Sequence, residues 1–431
     1  MPVLLRAPGL RRVHAADTEQ SERGGADDAM EEGDRRRGFD VVVVGAGIMG
    51  SCAAYAAACR GARVLLLERF DLLHHRGSSH GESRTIRATY TQAHYPPMVR
   101  LAARLWDGAQ RDAGYRVLTP TPHLDMGPRG DAALRAAIEN GGAVEFPIAD
   151  GPWAGVFRLP QGWTAATSSL GGVMKATKAV AMFQALAVKK GAVVRDRTEV
   201  VDVTKQGEGL ILVKTSSGEE FHGAKCIITV GAWASKLVKS VAGVDLPVQP
   251  LHTLICYWKV KAGREGELTT DAGFPTFASY GDPYIYSTPS MEFPGLIKVA
   301  MHGGPPCDPD NRDWCTGGAD LVGPVARWID EVMPGHVDTA GGPVIRQSCM
   351  YSMTPDEDFV IDFVGGEFGK DVVIGAGFSG HGFKMGPAVG TILAEMAMDG
   401  AARTAAEAGL ELRHFRIGRF DHLDLRYKSK I

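Results

Sequence analysis

Apolar positions along the chain fall into two periods. Val41 to Val44 is an unbroken β-branched run, the pattern of a strand buried on both faces of a parallel sheet. An Ala-rich segment follows, and after the Arg60-Gly61 break a second apolar run, Ala62 to Leu67, ends on Glu68. Helical spacing predicts helices from about Tyr95 to Ala113 and from Ala176 to Lys190, the second stopped by Gly191. Strands are predicted over Ala192 to Val203 and, past a Ser216-Ser217-Gly218 hairpin, at Phe221 and Cys226 to Val230. Residues 116 to 168 read as short strands broken by Pro/Gly turns. A second strand-rich stretch holds Thr253 to Val260, Tyr284 to Ser287 and Gly295 to Met301. The chain ends its periodic part with a strand at Val372 to Ile374 and an Ala/Met-rich helix from near Met385. Strand-helix alternation interrupted by two strand-rich excursions predicts an α/β chain with a second, antiparallel-sheet part.

Between the first two apolar runs stands GAGIMG, in which Gly45, Gly47 and Gly50 fit G-x-G-x-x-G at the start of the Ala-rich helix. Gly45 suits the tight turn, Gly47 lets backbone N–H groups approach a pyrophosphate, and Gly50 lets helix and strand pack closely. The helix N-terminus adds partial positive charge, and Glu68 is placed to accept hydrogen bonds from a ribose diol. Strand, turn, helix, strand and acid together predict dinucleotide binding. The uncharged stretch 41 to 59 is not a membrane span on this reading, because a Val run followed by three glycines and a closing acidic strand is a different pattern.

The chain's 431 residues suffice for two domains, since single cores stop growing near roughly 250 to 300 residues. A net charge of −3 with mixed signs leaves no basic footprint, which argues against nucleic acid as a partner. Seven cysteines without a C-x-x-C pair make neither a disulfide framework nor a zinc site and suit a reducing compartment. His74, His75 and His80 lack metal-ligand spacing, so no metal is expected. Residues 1 to 38 are polar and aperiodic and are expected to be disordered, with Met30 as an alternative start. At the other end, the exposed tail 426 to 431 closes on Ser429-Lys430-Ile431, near the Ser-Lys-Leu address of the peroxisomal import receptor. Peroxisome is the expected location and cytoplasm the alternative.

Three further constellations carry chemistry. Arg84 and Arg87, three apart in HGESRTIR, can face one anion or a flat ligand, or can be solvated surface arginines. Lys298 and His302 stand four apart near a strand end, amid aromatics that include Tyr257, Phe277, Tyr280, Tyr284 and Tyr286. In GAGFSGHGFKMG, Gly375, Gly377, Gly380 and Gly382 let backbone run against a flat ligand at a helix start. No second acid-ended strand follows, so this is not a second dinucleotide site.

From Phe39 to about residue 400 the chain resembles the monomeric sarcosine oxidase and L-pipecolate oxidase family of FAD enzymes, within the D-amino-acid oxidase superfamily. GAGIMG resembles the diphosphate loop of that family, which implies FAD contacts for Gly45, Gly47, Ile48, Met49 and Gly50, with Glu68 and Arg69 at the ribose end. HGESRTIR resembles its active-site loop, which implies Arg84 beside the flavin and Arg87 on the substrate carboxylate. Thr198-Glu199-Val200 and Thr229 to Trp233 fall where the family wraps its cofactor, bringing in Val200, Gly231 and Trp233. In SCMY, the resemblance implies a covalent flavin bond for Cys349 and an active-site role for Tyr351. In GFSGHGFK it implies flavin contacts for Gly377, Phe378, Gly380, His381 and Gly382, and a second carboxylate contact for Lys384. Lys298, His302 and Tyr286 match the oxygen-activating lysine, the pocket histidine and a pocket tyrosine. Thr288 and Ser79 depart from the bacterial members, which have an aromatic and a histidine there; both bear on substrate choice.

The resemblance implies a Rossmann-like FAD-binding domain (39–115, 169–246 and 345–425) interleaved with an antiparallel-sheet substrate domain (116–168 and 247–344). It implies a monomer that takes a small amino acid and molecular oxygen. Sarcosine or another N-methyl amino acid is the expected substrate and L-pipecolate the alternative. A flavin-binding assembly factor without turnover, or an NAD-dependent dehydrogenase, would have no use for Arg87, Lys298, Cys349 and Lys384 together.

Overall fold

The computed structural model describes residues 38–311 and 319–421, so the expected disorder of the N-terminal extension and the Ser-Lys-Ile tail fall outside the described residues. Strand Phe39–Val44 lies at the centre of the first sheet. It runs parallel to Val64–Leu67 on one side and to the end of Glu220–Ile228 on the other. Val193–Arg195 and Val372–Ala376 extend the parallel part, and Val360–Phe363 closes it antiparallel. The first half of Glu220–Ile228 leaves this plane and forms an antiparallel meander with Leu210–Thr215 and Val200–Gly207.

The unbroken valine run has a packing cause. Val41 and Val43 point into a core shared with helices Ile48–Cys59, Ala176–Lys189 and Gly386–Asp399, whereas Val42 and Val44 point into a separate core under Ala234–Ala242. With apolar matter on both faces, no position can be polar. The Ala-rich helix is likewise enclosed: Ala53, Ala54 and Ala57 have no exposed surface. Its small side chains let Gly386–Asp399 cross so closely that a Cβ on Gly390 would lie 2.5 Å from the Cys52 Cβ and 2.6 Å from its carbonyl carbon.

The second sheet has nine strands, in the order Val337–Asp338, Gln249–Val260, Leu296–Met301, Ile285–Thr288, Thr276–Ser279, His123–Pro128, Trp163–Ser168 and Val144–Phe146, with Ile345–Met353 also paired to Gln249–Val260. Its alternate residues Leu124, Met126, Phe277, Ile285, Ile297 and Val299 fill one apolar core with Trp258 and helix Gly323–Val332. The residues between them therefore point the other way, toward the first sheet. Arg84–Arg87 lies in a third, small sheet with Gly171–Met174 and Leu118–Pro120.

Three strand expectations change. Residues 192 to 203 form two strands, because Arg197 adopts φ +48° and the Thr198 amide donates to the Glu68 carbonyl, which ends the parallel run. Phe221 and Cys226 belong to one continuous strand, Glu220–Ile228. The segment from 345, expected with the nucleotide part, begins with a strand of the second sheet. Its nine residues pair without interruption from Met353 opposite Gln249 to Ile345 opposite Tyr257.

Gly390→Ala should lower stability by about 1–3 kcal/mol, the usual cost of forcing a methyl group into a packed core. Gly191→Ala, with open space around its Cβ, should show only the strain of its φ of +97°. Chemical denaturation of the two variants separates helix contact from backbone strain.

Candidate active site

A cavity of about 770 Å³ runs from the Gly45–Met49 turn, between the two sheets, to Lys384 and His302. At the turn, Gly45 has φ +96°, and a Cβ there would lie 2.6 Å from the Thr229 carbonyl oxygen. Gly50 does not line the cavity. A Cβ on it would lie 1.9 Å from the Gly45 carbonyl oxygen, so its task is the close helix-strand approach. Gly47 opens toward the cavity and meets only the Ser79 side chain, whose hydroxyl accepts from the Ile48 amide at 3.1 Å. Ser79 thus bears on the nucleotide turn. The first helical turn carries no acidic side chain, which leaves its partial positive charge for an anion.

The buried Glu68 carboxylate accepts from the amides of Ala46 at 2.9 Å and Phe70 at 3.0 Å, and His74 Nε2 lies 3.3 Å away. A carboxylate offers about four acceptor sites, so this bracing leaves capacity for a ribose diol. Nearby, Arg69 pairs with Glu199 at 3.0 Å and Asp310 at 2.8 Å, and lies over Trp233. Asp310 also accepts from Trp233 at 2.7 Å and Lys236 at 2.6 Å. Burial works against its charge, but the bonds from Lys236, Trp233 and Arg69 bring its carboxyl down to about 2. Val200 and Gly231 line the same end.

In the middle, Arg84 is fixed by the carbonyls of Ser83 (2.8 Å), Ser78 (3.0 Å) and His80 (2.6 Å), and its Nη2 lies 3.9 Å from Cys349 Sγ. Cys349 is buried on the wall of the cavity. Lys298, only 3% exposed, donates to the Ser83 carbonyl at 3.0 Å and sits over the Tyr286 ring. Burial, and then Arg84, pull its ammonium down to about 7. Thr288 is turned to the Ser83 hydroxyl at 3.1 Å rather than into the cavity.

At the far end two cations converge. Arg87 donates to Tyr284 at 3.1 Å and to the Thr89 carbonyl, and lies over the Tyr90 ring. Lys384 donates to the Tyr90 hydroxyl and to the His381 carbonyl, each at 2.8 Å. Among the described residues, no hydrogen bond or ion pair joins either cation to a carboxylate. Burial and then Arg87 hold the Lys384 ammonium well below its ordinary value. His302 faces Tyr351 and Tyr284, and burial, Arg87 and Lys384 lower it to about 4, so its ring is neutral near pH 7. Tyr286 and Tyr351 meet with their hydroxyls 3.5 Å apart.

Phe378, Gly380, His381 and Gly382 also line the cavity. Gly377 does not: at φ +60° it packs on Thr354 and shapes the turn from outside. Sequence reasoning missed Tyr90, Asp310 and Lys236, and singled out Tyr284 only as one of several aromatics. Tyr90 had a signal, standing three residues past Arg87, whereas Asp310 meets Arg69 across 241 residues. Among the described residues no group of three or more His, Cys, Asp or Glu could hold a metal ion, and no helix is long and apolar enough to cross a membrane.

The family described as FAD dependent oxidoreductase matches residues 40–396. The chain belongs to this family. It is 53% identical over 401 residues to the probable sarcosine oxidase of Arabidopsis thaliana, covering 91% of this chain and 95% of that one. The peroxisomal sarcosine oxidase of Homo sapiens is 34% identical over 397 residues, covering 89% and 97%. These relatives place the chain in the sarcosine oxidase branch of the family. Among solved structures, L-proline dehydrogenase from P. horikoshii shares the fold with a TM-score of 0.73 at 22% identity, covering 89% and 98%. The expected α/β architecture, a Rossmann-like part interleaved with an antiparallel sheet, is the fold found. The residues present fit FAD: an uncompensated helix N-terminus, a braced acid one strand away, and a groove leading to the two cations.

In this flavoenzyme family member, an anion bound between Arg87 and Lys384 would restore the Lys384 charge. Affinity for a carboxylate should be full below the Lys384 pKa of the empty site and fall as pH rises through it. Between that pKa and the higher one of the complex, binding should take up a proton. Calorimetric titration with acetate in buffers of different ionisation enthalpy measures that uptake; none at any pH between 6 and 10 would show that Lys384 does not hold the ligand.

Proposed function

We propose that the chain oxidises the C–N bond of a small secondary amino acid, with sarcosine or a related N-methyl amino acid as first choice, to an imine, reducing O2 to hydrogen peroxide. The observation that carries this reading is the pairing of Arg87 and Lys384, without carboxylate partners, beside a neutral imidazole at the end of the FAD groove. Bound FAD supplies the two-electron redox chemistry and the route of the electrons to O2. Arg87 and Lys384 bind the substrate carboxylate through charge-assisted bonds of about 1.5–3 kcal/mol each. Tyr284 and Tyr90, on which those cations rest, fix their direction, so the amine is held in one orientation. His302 is neutral and accepts or releases a hydrogen bond at the amine; it tunes substrate ionisation rather than serving as an obligatory base. The aromatic walls keep water from the reacting carbon until the imine leaves and hydrolyses.

Lys298 and Arg84 put positive charge on the other side of this cavity, where they favour the anion formed as O2 takes its first electron. Cys349, on the cavity wall beside Arg84, would carry the covalent flavin bond that the resemblance implies. The peroxisomal name of the human relative supports a peroxisomal location.

Peroxide release tests the reading directly. Sarcosine should be turned over and dimethylamine, which lacks the carboxylate, should be a poor substrate; equal rates would sink the clamp. L-Pipecolate in the same screen decides between the N-methyl and cyclic amines. Lys384→Met should cost tens to hundreds of fold in kcat/KM with flavin content unchanged, as losing about 1.5–3 kcal/mol implies.

Acid-precipitated protein should remain yellow, and Cys349→Ala should release its flavin into the supernatant. Free flavin from the unaltered protein would mean that Cys349 is a packed cysteine only.

A further inference from the structure

The second sheet carries a buried acid that the proposed chemistry does not use. On strand His123–Pro128, Leu124 and Met126 point into the apolar core, so His123 and Asp125 share the opposite face, the one turned to the cavity. His123 lines the cavity with Arg87, Tyr280 and Tyr284, and neither His123 nor Asp125 has any exposed surface. Asp125 Oδ1 lies 3.2 Å from His123 Nε2, and His123 Nδ1 lies 2.8 Å from the Thr276 hydroxyl. Burial keeps the ring below its ordinary pKa, hence neutral. The network then assigns the proton to Nε2, donating to Asp125, while Thr276 donates to Nδ1. The second oxygen, Asp125 Oδ2, is buried without a hydrogen-bond partner. Across the sheet Asp125 stands opposite Ala278, itself opposite Tyr286; Ala278 and His123 line the cavity, and Asp125 lies directly behind them.

A buried carboxylate with one hydrogen bond is costly unless a cation balances it. Lys384 repels the Arg87 charge, and the groups that could favour it are the hydroxyls of Tyr284, Tyr280 and Tyr90 and the Asp125 carboxylate. Burial raises all three tyrosines, leaving them neutral, so only Asp125 can bring negative charge.

We propose that Asp125, oriented by His123 and Thr276, is the resident counter-anion of the carboxylate clamp, a positioning residue that balances and orients Arg87 and competes electrostatically with the anion that binds there. The proposal rests on the clamp reading above. It makes the empty pocket tolerable for the fold and sets the affinity for anionic substrates below the maximum that the cations alone would give. A carboxylate substrate then binds firmly while its product can leave.

Acetate and its neutral isostere acetamide, titrated into the FAD-loaded protein and followed by the flavin spectrum, test it. Asp125→Asn keeps an acceptor for His123 and removes the charge, so acetate should bind about tenfold more tightly, as one unit charge several ångströms away at intermediate dielectric implies. Acetamide affinity should not change. Equal changes for both probes, or none for acetate, would overturn the proposal while leaving the clamp standing; failure of acetate to bind the unaltered protein would instead remove the clamp. Thermal melts supply a second arm free of ligand. Arg87→Gln strands the Asp125 charge and should lower Tm, and adding Asp125→Asn should recover part of the loss. If Asp125→Asn alone does not fold, a folded double variant still supports the pairing. A double variant no more stable than Arg87→Gln argues against it.

Discussion

A pleated strand sends alternate residues to opposite faces, and in the nine-stranded sheet this constraint decides where the chemistry goes. Leu124, Met126, Phe277, Ile285, Ile297 and Val299 must meet Trp258 and helix Gly323–Val332 to make a core. Their neighbours have no choice of side. Lys298 and His302, two strand periods apart, fall together on the face turned to the first sheet; so do Tyr284 and Tyr286, and His123 and Asp125. Register then brings these pairs into one surface: Tyr286 stands opposite Ala300, and Thr288 opposite Lys298. A slip of one residue in any of these strands would turn its polar side chains into the core and its core residues to the cavity.

That geometry creates an electrostatic demand. Four cationic side chains, Arg84, Arg87, Lys298 and Lys384, line one cavity. Arg84 is satisfied by three carbonyls and Lys298 by one, and burial and Arg84 bring the latter down to about 7. Lys384 has a phenol and a carbonyl as partners, and burial with Arg87 holds it well below its ordinary value. A site arranged this way is far from saturated with negative charge. A carboxylate entering it would find preoriented donors in a low-dielectric space, where their interaction is stronger than in water. The neutral His302 fits the same logic, since another full charge there would add repulsion without adding a partner.

How much of this was legible in the sequence depended on distance along the chain. The strand-turn-helix-strand-acid unit was readable because it is local. Gly45 and Gly50 are dictated by contacts to Thr229 and Gly45 carbonyls that any such turn makes. Arg84, Arg87, Cys349 and Lys384 were reached through the family resemblance, and the structure brings them to one cavity although they come from three separated segments. The spacing of Arg84 and Arg87 alone could not show that the two would face different ends of it. Tyr90 and Asp125 escaped notice, and Tyr284 stood out only as one aromatic among several, because an isolated tyrosine or aspartate has no period or motif; only contacts between distant segments give it a role. The segment from 345, expected in the FAD-binding domain, opens with a strand that was not predicted, for the same reason: its partner in the second sheet is about a hundred residues earlier.

The two sheets are also joined by charge at the nucleotide end. Asp308 and Asp310 follow the strand that carries Lys298 and His302, yet they reach across to Lys236, Arg69 and Trp233 of the first sheet's connections. Exposed ion pairs of this kind contribute little singly. Asp310 differs in gathering three donors at once, with its carboxyl held near 2, so the crossing stays intact throughout the neutral range. The same short segment therefore ties the second sheet to the nucleotide end of the cavity, while the strand before it presents Lys298 and His302 to another part of the same cavity.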